Sequence, residues 1–139
     1  MVDIDGYAFP RELLYDRNHN WARIEGDTAT VGLSDFGQAL AGEILFAELP
    51  RLGRQIEAGE PFMSLESGKW VGRIKAIVSG KIVAANEDLE WESTLINSDP
   101  YGRGWFVKVE LSGEPQGLMR ATDPEFAAFI AAEREKHGI

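Results

Sequence analysis

The chain has 139 residues, with 14 Lys and Arg against 23 Asp and Glu for a net charge of -9, and it contains no cysteine. That length supports one hydrophobic core and is short for two; the negative charge repels a phosphate backbone or an anionic membrane surface, which argues against nucleic-acid and membrane partners. The missing cysteine excludes disulfides, thiolate catalysis and cysteine-ligated metals, so sulfur redox chemistry would need a cofactor.

No run reaches the apolar length of a membrane span, and MVDIDGYAFP at the start lacks the basic and apolar regions of a secretory signal, so a soluble, cytoplasmic protein is expected. HNWARIEG and TATVGLS read as two short strands joined at Gly26 and Asp27. SDFGQALAG follows as a short helix, with Ser34 or Asp35 as N-cap and Gly42 as its stop. EILFAELP reads as a mostly buried strand closed by Pro50.

PFMSLES and VGRIKAIVSG read as further strands, the second with Ile74, Ala76 and Val78 on one face and Arg73 and Lys75 on the other. GWFVKVEL places Trp105, Val107, Val109 and Leu111 inward and leaves Phe106 on the outer side with Lys108 and Glu110. The C-terminus changes character. Thr122 or Asp123 as N-cap, Pro124 in the first turn, Glu125 three after Thr122 and Gly138 as a stop predict a helix over residues 122–138. Phe126, Phe129 and Ile130 form its apolar stripe against the sheet, and His137 is a cation beside the helix dipole.

GRQIEAGEPF (from Gly53) aligns without a gap on GKIVAANEDL (from Gly80), at an offset of 27 residues (80 minus 53). Ile56 meets Val83, Phe62 meets Leu89, and Gly59 faces Asn86, both residue types that enter the left-handed backbone region readily. Two such units related by a rough twofold predict a mainly β, flattened barrel or sandwich of two pseudo-symmetric hairpins. SGKW is then the turn between the units, with Gly68 supplying backbone freedom and Lys69 at the tip. A lysine at an arbitrary hairpin tip is ordinarily just solvated; between two matching hairpins it suits covalent loading, because acylation removes its charge and lengthens its reach.

At these residues the sequence resembles a family: the lipoyl carriers, and among them the H proteins of glycine cleavage. The resemblance covers nearly the whole chain, through HNWARIEGDTATVGLSDFGQALAGEILFAELP, the Glu66, Ser67 and Lys69 of ESGK, VSGKIVAANEDL and LINSDPYGRGWFVKVEL. It implies a lipoyl-domain-like fold over residues 1–139, lipoic acid in amide linkage on Lys69, and recognition by a lipoate ligase or transferase through Glu66, Gly53 and Gly80. The protein itself would be a carrier without catalytic residues or a metal, and dihydrolipoamide dehydrogenase would be among its partners.

The hairpin also departs from the glycine cleavage pattern. Gly68 stands where Val or Thr is usual, Trp70 where a small residue is usual, and Arg73 where an acid is usual. Those departures favour a related group, the H-like lipoate-binding proteins of bacterial sulfur oxidation that work beside a heterodisulfide reductase-like complex; a glycine cleavage H protein, carrying an aminomethyl group between glycine decarboxylase and aminomethyltransferase, is the alternative. Ser67, Gly68, Trp70 and Arg73, with His19 before the tryptophan of HNW, are the candidate arm or partner contacts. A biotin carrier would place methionines around the lysine, and a hydrolase built on Glu43 with Glu48, or Glu57 with Glu60, is better explained as solvated charge. The main rival is an unmodified interaction domain on the same fold.

Overall fold

The computed structural model describes residues 1–139. In chain order it contains β1 (Val2–Ile4), β2 (Tyr7–Phe9), β3 (Leu14–Tyr15), β4 (Asn20–Glu25), β5 (Thr28–Leu33), α1 (Asp35–Ala41) and β6 (Ile44–Glu48). There follow β7 (Gln55–Ile56), β8 (Pro61–Ser67), β9 (Val71–Lys75), β10 (Gly80–Ala85), a 3-10 turn (Glu87–Glu90), α2 (Leu95–Ser98), β11 (Val107–Leu111), β12 (Met119–Arg120) and α3 (Pro124–His137). A seven-stranded antiparallel sheet, in the order β12-β3-β4-β5-β11-β10-β7, faces a three-stranded sheet, β6-β8-β9. No helix is long and apolar enough to cross a membrane.

The core between the sheets comes from strand alternation. Val31 and Leu33 of β5, Ile82 of β10, Val107 and Val109 of β11 and Leu65 of β8 all point into it. The β4–β5 hairpin closes through Gly26 at φ 65, and Ser34 caps α1 by accepting a hydrogen bond from Gly37 N at 3.1 Å. Asn20 ties the two layers together. Its buried amide donates to the Lys75 carbonyl of β9 at 2.9 Å and to Asp16 Oδ2 at 3.0 Å.

Three local expectations fail, each for a geometric reason. The segment EILFAELP is half exposed rather than mostly buried, because a bulge makes Leu45 an extra residue between Ile44, opposite Ser67, and Phe46, opposite Glu66. Leu45 and Phe46 therefore both face solvent, at 56% and 54% exposure. Phe106 is buried instead of outward: its N–H bonds the Val31 carbonyl at 2.8 Å, and regular alternation starts only at Val107. Trp105 is the half-buried residue, with Lys108 Nζ 5.5 Å from its ring centroid.

The internal repeat is also only approximate. β7 and β10 do pair, Ile56 with Gly80, but Ile82 is buried where the alignment places Val83, which is exposed. Asn86 has φ -81 and not a left-handed backbone. It is buried, and its amide donates to the carbonyls of Arg103 at 2.6 Å and Trp105 at 2.8 Å.

A second core lies under α3, which begins at Pro124, after Asp123 as N-cap, and ends at Gly138 in the left-handed region. Its expected side-chain cap is absent, because Asp123 Oδ2 accepts from Arg120 N at 2.8 Å instead. Phe126 packs edge-on to Phe9 at 4.9 Å and stacks on Tyr15 at 4.8 Å. Truncating that ring leaves a cavity that the surrounding rings cannot collapse into, so Phe126→Ala is expected to cost about 3 to 5 kcal/mol. Urea denaturation measures the loss; a change under about 1 kcal/mol would show that α3 contributes little to the folded state.

Candidate functional site

Lys69 stands at the tip of the β8–β9 hairpin, whose register pairs Glu66 with Val71 and Leu65 with Gly72. Ser67 braces the turn from inside. Its backbone N–H donates to the Trp70 carbonyl at 2.7 Å, while its buried hydroxyl accepts from Lys69 N at 3.2 Å and donates to the Trp70 carbonyl at 3.3 Å. Gly68 does not supply the expected backbone freedom: it lies outside the positive-φ region, and a Cβ there would meet nothing within 4 Å. The turn is held by the serine, and glycine is not required beside the lysine.

The lysine stem lies over the end of α1. A Cβ on Gly42, whose φ is 79, would sit 3.4 Å from Lys69 Cε and 3.7 Å from Nζ. Asn97 fixes that platform by accepting from Ile44 N at 2.9 Å and donating to the Gly42 carbonyl at 2.8 Å and Gln38 Oε1 at 3.0 Å. The amine is exposed at the tip and its stem has room over bare backbone, which fits a residue that must be reached by an enzyme and extended by an acyl chain.

Below the lysine opens a cleft of about 540 Å³, between α1, the β8–β9 hairpin and the end of α3. Lys69, Trp70, Arg73 and His19 all line it, so four of the residues singled out in the sequence meet here. The Trp70 indole is 40% exposed and lies across Gly72, where any Cβ would collide with the ring. The remaining candidates lie elsewhere. Glu66 is exposed on the outer face of β8, between Phe46 and Val71. Gly53, at φ 86, donates to the Ile82 carbonyl at 2.7 Å and borders a second cleft that Arg73 also lines; Gly80 sits in the larger sheet between β11 and β7.

His19 has a left-handed φ of 66, which turns its ring between Phe36 at 5.1 Å and Phe129 at 5.3 Å. Its Nε2–H donates to Glu133 Oε1 at 2.7 Å. Burial lowers its pKa, outweighing the opposing pull of Glu133 and Asp16, and His137 lowers it further. Because the folded value lies below the ordinary 6.5, the unfolded chain takes up the proton first, and stability is lost as the pH falls through 6.5. Denaturation at about pH 7.5 and about pH 5.5 should show this decline, and His19→Gln should flatten it while His137→Gln leaves most of it. An unchanged slope in His19→Gln would assign the acid sensitivity to another group, and not to Asp16, whose pKa burial raises, so that its protonation favours the folded state.

The comparisons with known proteins converge on one family. Residues 13–130 match the family model described as Glycine cleavage H-protein. The chain belongs to the glycine cleavage H-protein family. The glycine cleavage system H protein of Rubrobacter xylanophilus is 48% identical over 109 residues, covering 78% of this chain and 86% of that one. That of Herpetosiphon aurantiacus is 41% identical over 127 residues, covering 91% and 97%. The crystal structure of an H protein from Mycobacterium marinum superimposes with a TM-score of 0.77 at 28% identity, over 94% of this chain and all of that one, in agreement with the lipoyl-domain-like β-sandwich.

Proteins of this family carry lipoic acid covalently on a lysine. The preference for a sulfur-oxidation carrier finds no support in these matches, which fit the glycine cleavage alternative better. The departures that prompted it, Gly68, Trp70 and Arg73, are all exposed on the hairpin, where the fold accepts many side chains. The sequence reading also missed Gly42 and Asn97 beneath the lysine, and Glu133 and Lys136, which α3 brings to the cleft. Gly42, already read as the stop of α1, and Asn97, in LINSDP, both lie in stretches of the resemblance, whereas nothing local in the sequence marked Glu133 or Lys136.

Proposed function

We propose that this chain is the non-catalytic, cytoplasmic carrier of a glycine cleavage system, acting as one domain with its arm on Lys69. The observation that carries the reading is the placement of a single exposed lysine on a braced hairpin tip, over a glycine platform, in a chain of this family. Bound lipoamide supplies a reducible disulfide on a long tether that can hold an aminomethyl group on one sulfur. The chain's own residues set the origin of that tether. Ser67 fixes the turn, Gly42 leaves space for the stem, and Trp70 and His19 form walls on which the arm can rest.

The partners on this reading are a lipoate ligase or transferase, glycine decarboxylase, aminomethyltransferase and dihydrolipoamide dehydrogenase. Glu66, Gly53 and Gly80 are assigned to recognition by the attaching enzyme. Glu66 offers a charge three residues from the lysine on an exposed face, and the two glycines shape the strands behind it. The test is intact mass. Incubation with lipoate, ATP and a lipoate ligase should add one lipoyl group, and the product should then accept an aminomethyl group from glycine decarboxylase. A mass unchanged with both ligase and transferase routes would make the chain an unmodified interaction domain; lipoylation without aminomethyl loading would keep the carrier and remove the pathway.

A further inference from the structure

The β6–β7 connection and the outer face of the smaller sheet enclose a second cleft, of about 680 Å³, in which three arginines meet, Arg51, Arg54 and Arg73. Arg51 and Arg54 begin and end one tight turn. Arg54 N donates to the Arg51 carbonyl at 3.3 Å, and Gly53 between them takes the φ of 86 that such a turn needs. Arg73 arrives from β9, in a row across the three strands that sets Glu48 opposite Ser64 and Ser64 opposite Arg73. The Arg54 guanidinium is already oriented: it donates to the carbonyls of Phe62 and Pro61, each at 3.2 Å, and lies 3.6 Å from Glu60. Arg51 and Arg73 have no carboxylate within ion-pair distance. Glu48 is the one carboxylate lining the cleft, and two strand spacings, about 10 Å, separate its strand from that of Arg73. In a chain of net charge -9, three cations against one anion make this concave surface a local positive field.

We propose that this cleft is a binding site for a phosphate monoester, a small molecule with a dianionic phosphate head on a compact body. A planar guanidinium fork meets phosphate oxygens two at a time, and two arginines without an acidic partner match the two charges of the head. Ser64, between Glu48 and Arg73 in the row, offers a hydroxyl donor, while Leu49 and the exposed Leu52 give the body an apolar surface. A carboxylate on the same body carries half the charge and engages one fork only. A ligand held by Arg51 and Arg73 together joins the β6–β7 connection to β9, the strand that leads out of the Lys69 turn, so its occupancy would brace the hairpin from outside.

Phenyl phosphate, benzoate and benzyl alcohol share one ring and carry two, one and no negative charges at about pH 7.5, so titrating each into the 15N-labelled, unmodified protein in a phosphate-free buffer separates charge from burial. Phenyl phosphate is expected to bind about tenfold more tightly than benzoate, with amide shifts centred on Leu52, Gly53 and Ser64, and the alcohol more weakly than either. R51Q should weaken phenyl phosphate part of the way, R51Q/R73Q should bring it to the level of benzoate, and E48Q, which removes the one opposing charge, should tighten it about two- to threefold. K108Q, on the other sheet, should leave it unchanged. All four side chains are exposed, and the amide spectrum of each variant reports its fold directly. Equal binding of phenyl phosphate and benzoate, shifts centred instead on Leu40 and Ile74, or an R51Q/R73Q protein that still prefers phenyl phosphate would overturn the proposal. The measurement involves no lipoate, so its outcome is independent of the mass test of the carrier reading.

Discussion

Lys69→Arg should gain no lipoyl mass at all under conditions that modify the parent chain completely. Amide formation needs a neutral amine as nucleophile, and arginine offers a guanidinium that stays protonated across the accessible pH range. The charge is kept, so docking by electrostatics is preserved and only the acyl acceptor is lost. At an exposed tip the exchange should cost no more than about 0.5 kcal/mol, which separates loss of modification from loss of fold. Lys75, Lys81, Lys108 and Lys136 remain as internal controls. Lys75, Lys81 and Lys108 lie within regular strands and Lys136 in α3, so a lipoyl group on any of them in the variant would show that the hairpin tip is not what the attaching enzyme reads.

A loss of stability as large as that of a core truncation should come from Gly80→Ala. Gly80 has φ 155 and is paired on both sides, with Leu111 of β11 and Ile56 of β7. A Cβ there would run into the Glu110 carbonyl oxygen and lie 2.8 Å from Val109 Cγ1. β11 cannot retreat without giving up its own pairing with β5, so the strain has no cheap outlet and a loss of about 3 kcal/mol or more is expected. Gly53→Ala meets no neighbour within 4 Å and faces only the strain of φ 86, which should cost about 1 kcal/mol. Denaturation curves give both numbers. A Gly80→Ala protein as stable as the parent would mean that the strand pair deforms far more easily than its register suggests. If both variants, assayed where they are still folded, are lipoylated at the parent rate, the glycines serve the fold and the recognition assigned to them falls.

The fold was most legible where local chemistry and tertiary packing agree. The β4–β5 hairpin, α1 with its serine cap, and α3 between Pro124 and Gly138 follow from turn residues, caps and periodicity. β6 misleads because the bulge at Leu45 changes which face each residue takes, and an apolar segment gives no sign of a bulge. Phe106 misleads for a related reason, since alternation was projected back past the start of β11. Within the site, the lysine and the tryptophan beside it stand together in sequence. Glu133 meets His19 only because α3 folds back across a separation of 114 residues, and no local pattern reports such a contact.

The Asn20 amide, which bridges from the larger sheet to the Lys75 carbonyl, bears on how accurately a carrier can aim. A long flexible tether sweeps a wide volume, and the one part of its trajectory the protein controls is the point from which it starts. Lys69 sits six residues before Lys75 on a hairpin that forms one edge of the smaller sheet, and this single buried side chain fastens the far end of that hairpin to the body of the molecule. Asn20 therefore acts as the footing of a crane: far from the load, it decides whether every sweep begins from the same place.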